Sequence, residues 1–240
     1  MNINPIYAAI AGDIAGSRYE AKFPGTVPLL DDLLDKGHFT DDTVLTIAVA
    51  DALMHKGERI DWSITNWAEK YPHAGYSKNF KEKIIYPDRP EFGTPSSSNG
   101  AIMMLSPFLC FDNTDRVFEA VNVTHNCVLA RQSATEYIES AKGFEDIFTA
   151  SYDEFAADRM FDLSAYGTLQ RAVACTGSGQ TVSAVIEKAI LLGGDTDTTA
   201  CVAAAYQARR YEDSFNLDVK NIRRKLTGEM LEILDEMENA

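Results

Sequence analysis

Two short stretches set carboxylates and hydroxyls where they could hold a cation. "FTDDTVLTIAVA" (39–50) and "GGDTDTTACVAAA" (193–205) each pair or alternate threonine with aspartate just before an apolar run. One use of such residues is helix capping, because Thr and Asp are favoured N-caps and acids suit the positive end of the macrodipole. A cap needs one oxygen, whereas Asp41, Asp42, Asp195 and Asp197 supply four carboxylates, with the Thr40 and Thr198 hydroxyls beside them. Four acids gathered at one place repel each other unless something cationic sits between them. Carboxylate and hydroxyl oxygens suit Mg²⁺, Ca²⁺ or Mn²⁺ and not Zn²⁺ in its usual Cys/His sites. Sequence order does not say whether the clusters meet, so capping and cation binding both stand at this point. A third stretch, "AGDIAGSRYE" (11–20), adds Asp13 and Glu20 among Gly12 and Gly16. Taken alone, it predicts only that a helix ends there and that Asp13 bonds to nearby backbone.

The elements that must position these residues read as helices almost throughout. Apolar positions recur at helical spacing over about 6–15, 44–57, 61–70, 76–85, 100–111, 115–123, 127–142, 166–174, 181–192, 198–211 and the last 25 residues. Period-two alternation is nearly absent. The pattern predicts an all-α chain, folded as a single domain over residues 1–240. Proline and glycine clusters mark loops at 23–28, 86–100 and 174–181. The second, "YPDRPEFGTPSSSNG", is long enough that a use for it is expected.

Composition narrows the partners. Lys+Arg 22 against Asp+Glu 36 gives a formal charge of -14, which argues against a nucleic-acid backbone or an anionic membrane. Cys110, Cys127, Cys175 and Cys201 lack C-x-x-C spacing and sit in apolar company, predicting free thiols and a reducing, cytoplasmic setting. No run approaches a membrane span and no basic leader opens the chain.

Taken in order, "GDIAGSRYE", "FTDDT", "YPHAGYSKNF" (71–80), "SNGAIMMLSP" (98–107), "THN" (124–126) and "GGDTDT" resemble the ADP-ribosylglycohydrolase family. The resemblance runs from about residue 11 to 200. It implies an orthogonal helical bundle whose cleft holds two Mg²⁺ (or Mn²⁺) ions, and cleavage of the glycosidic bond between ADP-ribose and a modified acceptor. Carried over position by position, Thr40, Asp41 and Asp42 would bind one metal, Asp195 and Thr198 the other, and Asp197 would bridge. Glu20 matches the candidate acid or base, with Asp41 and Asp197 completing the catalytic set. Ser98, Asn99 and Gly100 match a loop that meets diphosphate and ribose, and Gly75, Tyr76 and His125 match further substrate positions. The implied partner is ADP-ribose or an ADP-ribosylated substrate, with the protein acting as a monomer. A relative that binds without turnover, or a structural protein of the same fold, is the alternative.

Some positions depart from the family pattern. Met104 stands where many members carry arginine, and Cys127 and Val128 follow "THN" where many bacterial relatives have histidine and proline. These changes bear on the substrate side and leave the metal ligands intact. His38, His55 and His73 read as surface residues. Trp62, Trp67, Tyr71 and Tyr76 read as core packing, with Tyr76 also placed to stack on adenine.

Overall fold

A computed structural model describes residues 1–55, 57–86, 92–111, 114–147 and 149–240. Helix α1 (Asn4–Gly16) is buried at every residue except Asn4, as an apolar helix without a polar face must be. It lies against α11 (Thr196–Arg210), buried from Thr196 to Ala208. Small residues allow the two backbones to touch. A Cβ on Gly12 would fall 2.3 Å from the Ala200 carbonyl oxygen, and one on Gly16 would fall 2.4 Å from that of Thr196. Because α1 is so deep, Asp13 next to Gly12 is carried to zero exposure.

The other helices wrap this pair: α2 (Leu30–Lys36), α3 (Asp41–Met54), α4 (Ile60–Lys70), α5 (Lys78–Phe80), α6 (Val117–Thr124), α7 (Val128–Ala141), α8 (Tyr152–Asp158), α9 (Ala165–Cys175), α10 (Val182–Leu192), α12 (Val219–Arg223) and α13 (Gly228–Asn239). Helix α3 packs on α4 and α13, while α10 and α9 pack on α11. Among the described residues there is no strand, only the isolated bridges Lys22 to Gly194 and Ser98 to Ser164. The four cysteines are free.

The periodicity misleads in three places. Residues 100–111 form two 3₁₀ turns, Asn99–Ala101 and Ser106–Leu109, because every residue from 101 to 109 is buried and the apolar run marks burial on all sides, not one helical face. Residues 76–85 hold one short α turn that passes into a π turn, Lys81–Ile85. The C-terminal run divides into α12 and α13, restarting where Thr227 is extended ahead of Gly228. Two helices go unread. Helix α2 is one of them; the other, α8, is seven residues long with only Tyr152, Phe155 and Ala156 partly buried against the core, although its Ser151/Glu154 capping box is visible in sequence. Of the loop at 86–100, residues 87–91 lie outside the described residues.

Packing of the aromatics follows expectation for Trp67, which is buried and stacked on Tyr71 at 6.0 Å. Trp62 departs from it at 60% exposure, since it sits on the outer face of α4. His38, His55 and His73 are exposed.

Candidate metal centre and cleft

The C-terminal end of α1 and the N-termini of α3 and α11 converge, so the two Thr/Asp clusters do meet. Thr198 Oγ1, on α11, donates to Asp42 Oδ2, on α3, at 3.3 Å. Capping accounts for little of this. Thr40 is an N-cap and accepts from the Asp42 amide at 3.3 Å, but Asp195 at the N-cap of α11 makes no capping bond. Its Oδ2 instead accepts from Asn99 Nδ2 at 2.6 Å.

Asp13 is tied into the first cluster more firmly than its sequence context implied. It accepts from the Thr40 amide (2.9 Å), the Thr40 hydroxyl (2.7 Å), the Thr43 amide (3.1 Å) and the Thr43 hydroxyl. The residues bonded to it lie 27 and 30 positions along the chain, so Asp13 is no local backbone bonder.

The glycine pair before α11 sets the other side. Gly193 and Gly194 have φ of +71° and +83°, a region that side chains rarely adopt. Their turn brings the Gly194 carbonyl to the Ala21 amide (2.8 Å) and the Gly194 amide to the Lys22 carbonyl (2.9 Å). This bridge holds Glu20 at the cleft mouth near Asp195. Partial burial, then the Asp195 charge, raises the Glu20 pKa.

Burial and mutual repulsion push the acids upward. Asp41 is raised to about 7 by burial and then by the Asp13 charge, and Asp197 to about 11 by burial and then by Asp42. Asp42 goes well above the carboxylate range for the same reasons, and burial raises Asp13 against its four hydrogen bonds. Asp42 Oδ1 and Asp197 Oδ1 are buried with no hydrogen-bond partner. An orphaned buried carboxylate oxygen is costly and calls for a counterion or a proton. Asp13, Asp42 and Asp197 each bring an oxygen within 4.8 Å of the others. This all-oxygen set fits a hard divalent cation, with Asp41, Asp195 and the Thr198 hydroxyl around it.

A cleft opens over these acids. It is lined by Glu20, Asp41, Asp42, Asp195, Asp197 and Thr198 together with Gly75, Ser98, Asn99, Gly100 and His125. His125 is held through Nε2 to the Ser98 hydroxyl (2.7 Å) and through Nδ1 to the Thr124 hydroxyl (2.6 Å). Burial lowers its pKa to about 4, so the ring is neutral at ordinary pH. Gly100 is needed beneath it, because a Cβ there would lie 2.9 Å from His125 Cε1. Gly75, at φ +114°, likewise leaves room for Asp41 Oδ1, which a Cβ would approach to 2.9 Å.

Two expected site residues do not reach the cleft wall. Thr40 turns its hydroxyl to Asp13, and Tyr76 is buried with its ring stacked on Phe80 at 4.7 Å. Phe80 faces the cleft in its place. The departures from the family pattern fall elsewhere. Met104 is buried in the core while its neighbour Met103 lines the cleft, and Cys127 caps α7 and donates to the Ser96 carbonyl at 3.1 Å. Leu45, Ser77, Phe80, Met103 and Thr124 also line the cleft and are not among the expected site residues, although the last four lie inside the motifs that carry the resemblance. The sequence reading undervalued Asp13, whose glycine-flanked position within a buried helix was the available sign.

A family model described as ADP-ribosylglycohydrolase matches residues 5–142. A solved structure described as an ADP-ribosylglycohydrolase-related protein complex is similar at a TM-score of 0.66 and 18% identity, covering 99% of this chain and 96% of that one, which speaks for the fold. Among curated proteins no sequence matches.

Proposed function

The chain belongs to the ADP-ribosylglycohydrolase family, and on that premise we propose that its cleft is a metal-dependent active site that hydrolyses the glycosidic bond between ADP-ribose and a modified acceptor. The observation that carries this reading is the pair of buried, unpartnered oxygens, Asp42 Oδ1 and Asp197 Oδ1, at the floor of an acid-lined cleft. A fold built for packing alone would have no reason to keep them. Thr40, Asp41, Asp42, Asp195, Asp197 and Thr198 are the proposed ligands for two Mg²⁺ or Mn²⁺ ions. When bound, such ions would neutralise the acids and supply positive charge that orients ribose hydroxyls.

The side chains then divide the work. Cleavage passes through an oxocarbenium-like transition state, with water adding its hydroxyl to the anomeric carbon and its remaining proton leaving with the acceptor. Glu20, at the mouth and with a raised pKa, is suited to carry that proton in either direction. The carboxylates below would favour the developing positive charge. Also on the cleft lining, neutral His125 and Ser98 suit uncharged polar groups such as ribose hydroxyls, and the open backbone at Gly100 allows close approach. Phe80 takes the stacking place first read for Tyr76. The whole of 1–240 is proposed to act as one domain, as a cytoplasmic monomer. No helix among the described residues is long and apolar enough to cross a membrane.

The test is calorimetric titration of ADP-ribose with Mg²⁺ and again with EDTA, followed by a release assay on arginine- and serine-ADP-ribosylated peptides. Metal-dependent binding with release supports the hydrolase and names its linkage. Binding without release would move the protein to a reader of ADP-ribose, and no binding in either buffer sinks the assignment of the cleft.

A further inference from the structure

We infer that Asp13 is the positioning residue of the centre: it draws the hydrogen of the Thr40 hydroxyl away from Asp42, so that the lone pair not used by the Asp42 amide is left free for a cation. The inference rests on the metal-binding reading given above and extends it to a residue that reading leaves unused.

Four donors converge on Asp13, the amide and hydroxyl of Thr40 and the amide and hydroxyl of Thr43. An ionised carboxylate is acceptor-only, with about four lone-pair sites, and so can meet all four; an asparagine of the same shape offers one acceptor oxygen and two hydrogens of its own. Oδ2 takes three of the donors and Oδ1 takes the Thr40 hydroxyl at 2.7 Å. Asp13 does not line the cleft and its Oδ2 is fully engaged, which makes it a poor direct ligand, although it brings an oxygen within 4.8 Å of those of Asp42 and Asp197.

The consequence is felt at Thr40. A hydroxyl has one hydrogen, and Thr40 Oγ1 has two acceptors in reach, Asp13 Oδ1 at 2.7 Å and Asp42 Oδ2 at 3.4 Å. The nearer acceptor takes the hydrogen. Asp42 Oδ2 is then left to the weaker donor Thr198 at 3.3 Å, and Asp42 Oδ1 stays without a partner. The Thr43 contacts fix the carboxylate from the next turn side of α3, where Thr43 does not line the cleft. Asp13 itself cannot drift, because Gly12 beside it seats α1 on the Ala200 backbone.

The test is Mn²⁺ binding to the full chain without substrate, read by electron paramagnetic resonance, with melting temperature measured in EDTA. Asp13→Asn and Thr40→Val are each expected to lower Mn²⁺ affinity about 10- to 100-fold, the usual range for a group that orients a ligand. The double variant is expected to be no worse than the more severe single one, since both remove the same hydroxyl orientation. Thr40→Ser should keep near-native affinity. Asp13→Asn leaves buried donors of Thr40 and Thr43 unmet and so should lower the metal-free melting temperature as well as Mn²⁺ affinity measured where the variant is folded, whereas a purely structural role predicts the lower melting temperature with unaltered affinity. Additive losses in the double variant would make Asp13 a direct ligand and overturn the inference. Unchanged affinity in Asp13→Asn would overturn it while leaving the metal reading intact, and a wild type that binds no Mn²⁺ would end both. Should Asp13→Asn fail to fold, Thr43→Val replaces it, with a smaller fall in affinity expected and an unchanged affinity again counting against the inference.

Discussion

Helix α3 contributes to two groups of side chains that each bring three metal-ligating atoms within 4.8 Å of one another. At its N-terminal end Asp42 meets Asp13 and Asp197; near its C-terminal end Asp51 meets His55 and Glu58. The second group is satisfied from within. His55 Nδ1 lies 2.9 Å from Asp51 Oδ1 and 3.7 Å from Glu58, and the other Asp51 oxygen accepts from Trp67 Nε1 at 2.7 Å. The hydrogen bond to the Asp51 carbonyl, ahead of the nearby acids, raises the His55 pKa and so favours the protonated ring beside these carboxylates. The first group has no such partner; its charge is buried and two of its oxygens are orphaned. Equal spacing therefore says little. Unmet acceptor capacity under burial separates a site from a surface ion-pair cluster.

Breaking the buried group should have the largest effect. Asp197→Asn is expected to remove Mg²⁺-dependent ADP-ribose binding and release below detection, while the metal-free protein melts at the same temperature or a few degrees higher because the cost of holding this buried carboxyl protonated is gone. A large drop in metal-free melting temperature would instead make the acid a structural cap. Glu20→Gln comes next, with ligand binding retained and turnover down about 10²- to 10⁴-fold, as removal of a general acid or base gives. Equal loss of binding and turnover would take Glu20 out of that role.

The pH response should separate the groups more finely. Asp13, Asp41, Asp42 and Asp197 are raised in the folded state, so between their unfolded and folded pKa values the native protein holds more protons than the unfolded one. Stability of the metal-free protein is then greatest at acid pH and falls as pH rises from about 4 through 7, the negative slope that linkage requires. Urea melts in EDTA at pH 5 and pH 8 measure it, and saturating Mg²⁺ should flatten the slope by stabilising the ionised acids. A metal-free slope unchanged in Asp42→Asn would assign the effect to other carboxylates. The smallest expected change is His55→Ala, about 0.5 kcal/mol or less in stability with Mg²⁺ dependence untouched. If that variant shifted the Mg²⁺ response, the two groups would not be separable as drawn here.

Much of the cleft was legible because its chemistry is local. Thr40, Asp41 and Asp42 stand within three positions, and so the type and number of oxygen donors could be read directly. Helix type was legible where one face alone is buried, as in α4 and α7, and also in the almost wholly buried α1 and α11, but failed at 100–111, where a continuous apolar run folds into two 3₁₀ turns. Tyr76 read as a stacking face because an aromatic beside Gly75 has that chemistry, but the stack is made by Phe80 against it, leaving Phe80 outermost.

The sequence by itself determined the helical class, the family and the presence of carboxylate and hydroxyl oxygens in two clusters, since each depends on residue type and short-range spacing. Tertiary structure alone decided that the clusters meet, that Asp195 leaves its capping role for Asn99, and that Asp13 belongs to the centre. Those outcomes depend on contacts across 27 to 156 positions of chain, made because Gly12 and Gly16 let α1 and α11 approach to backbone contact. No window of sequence contains that approach; it exists only once the two helices are packed.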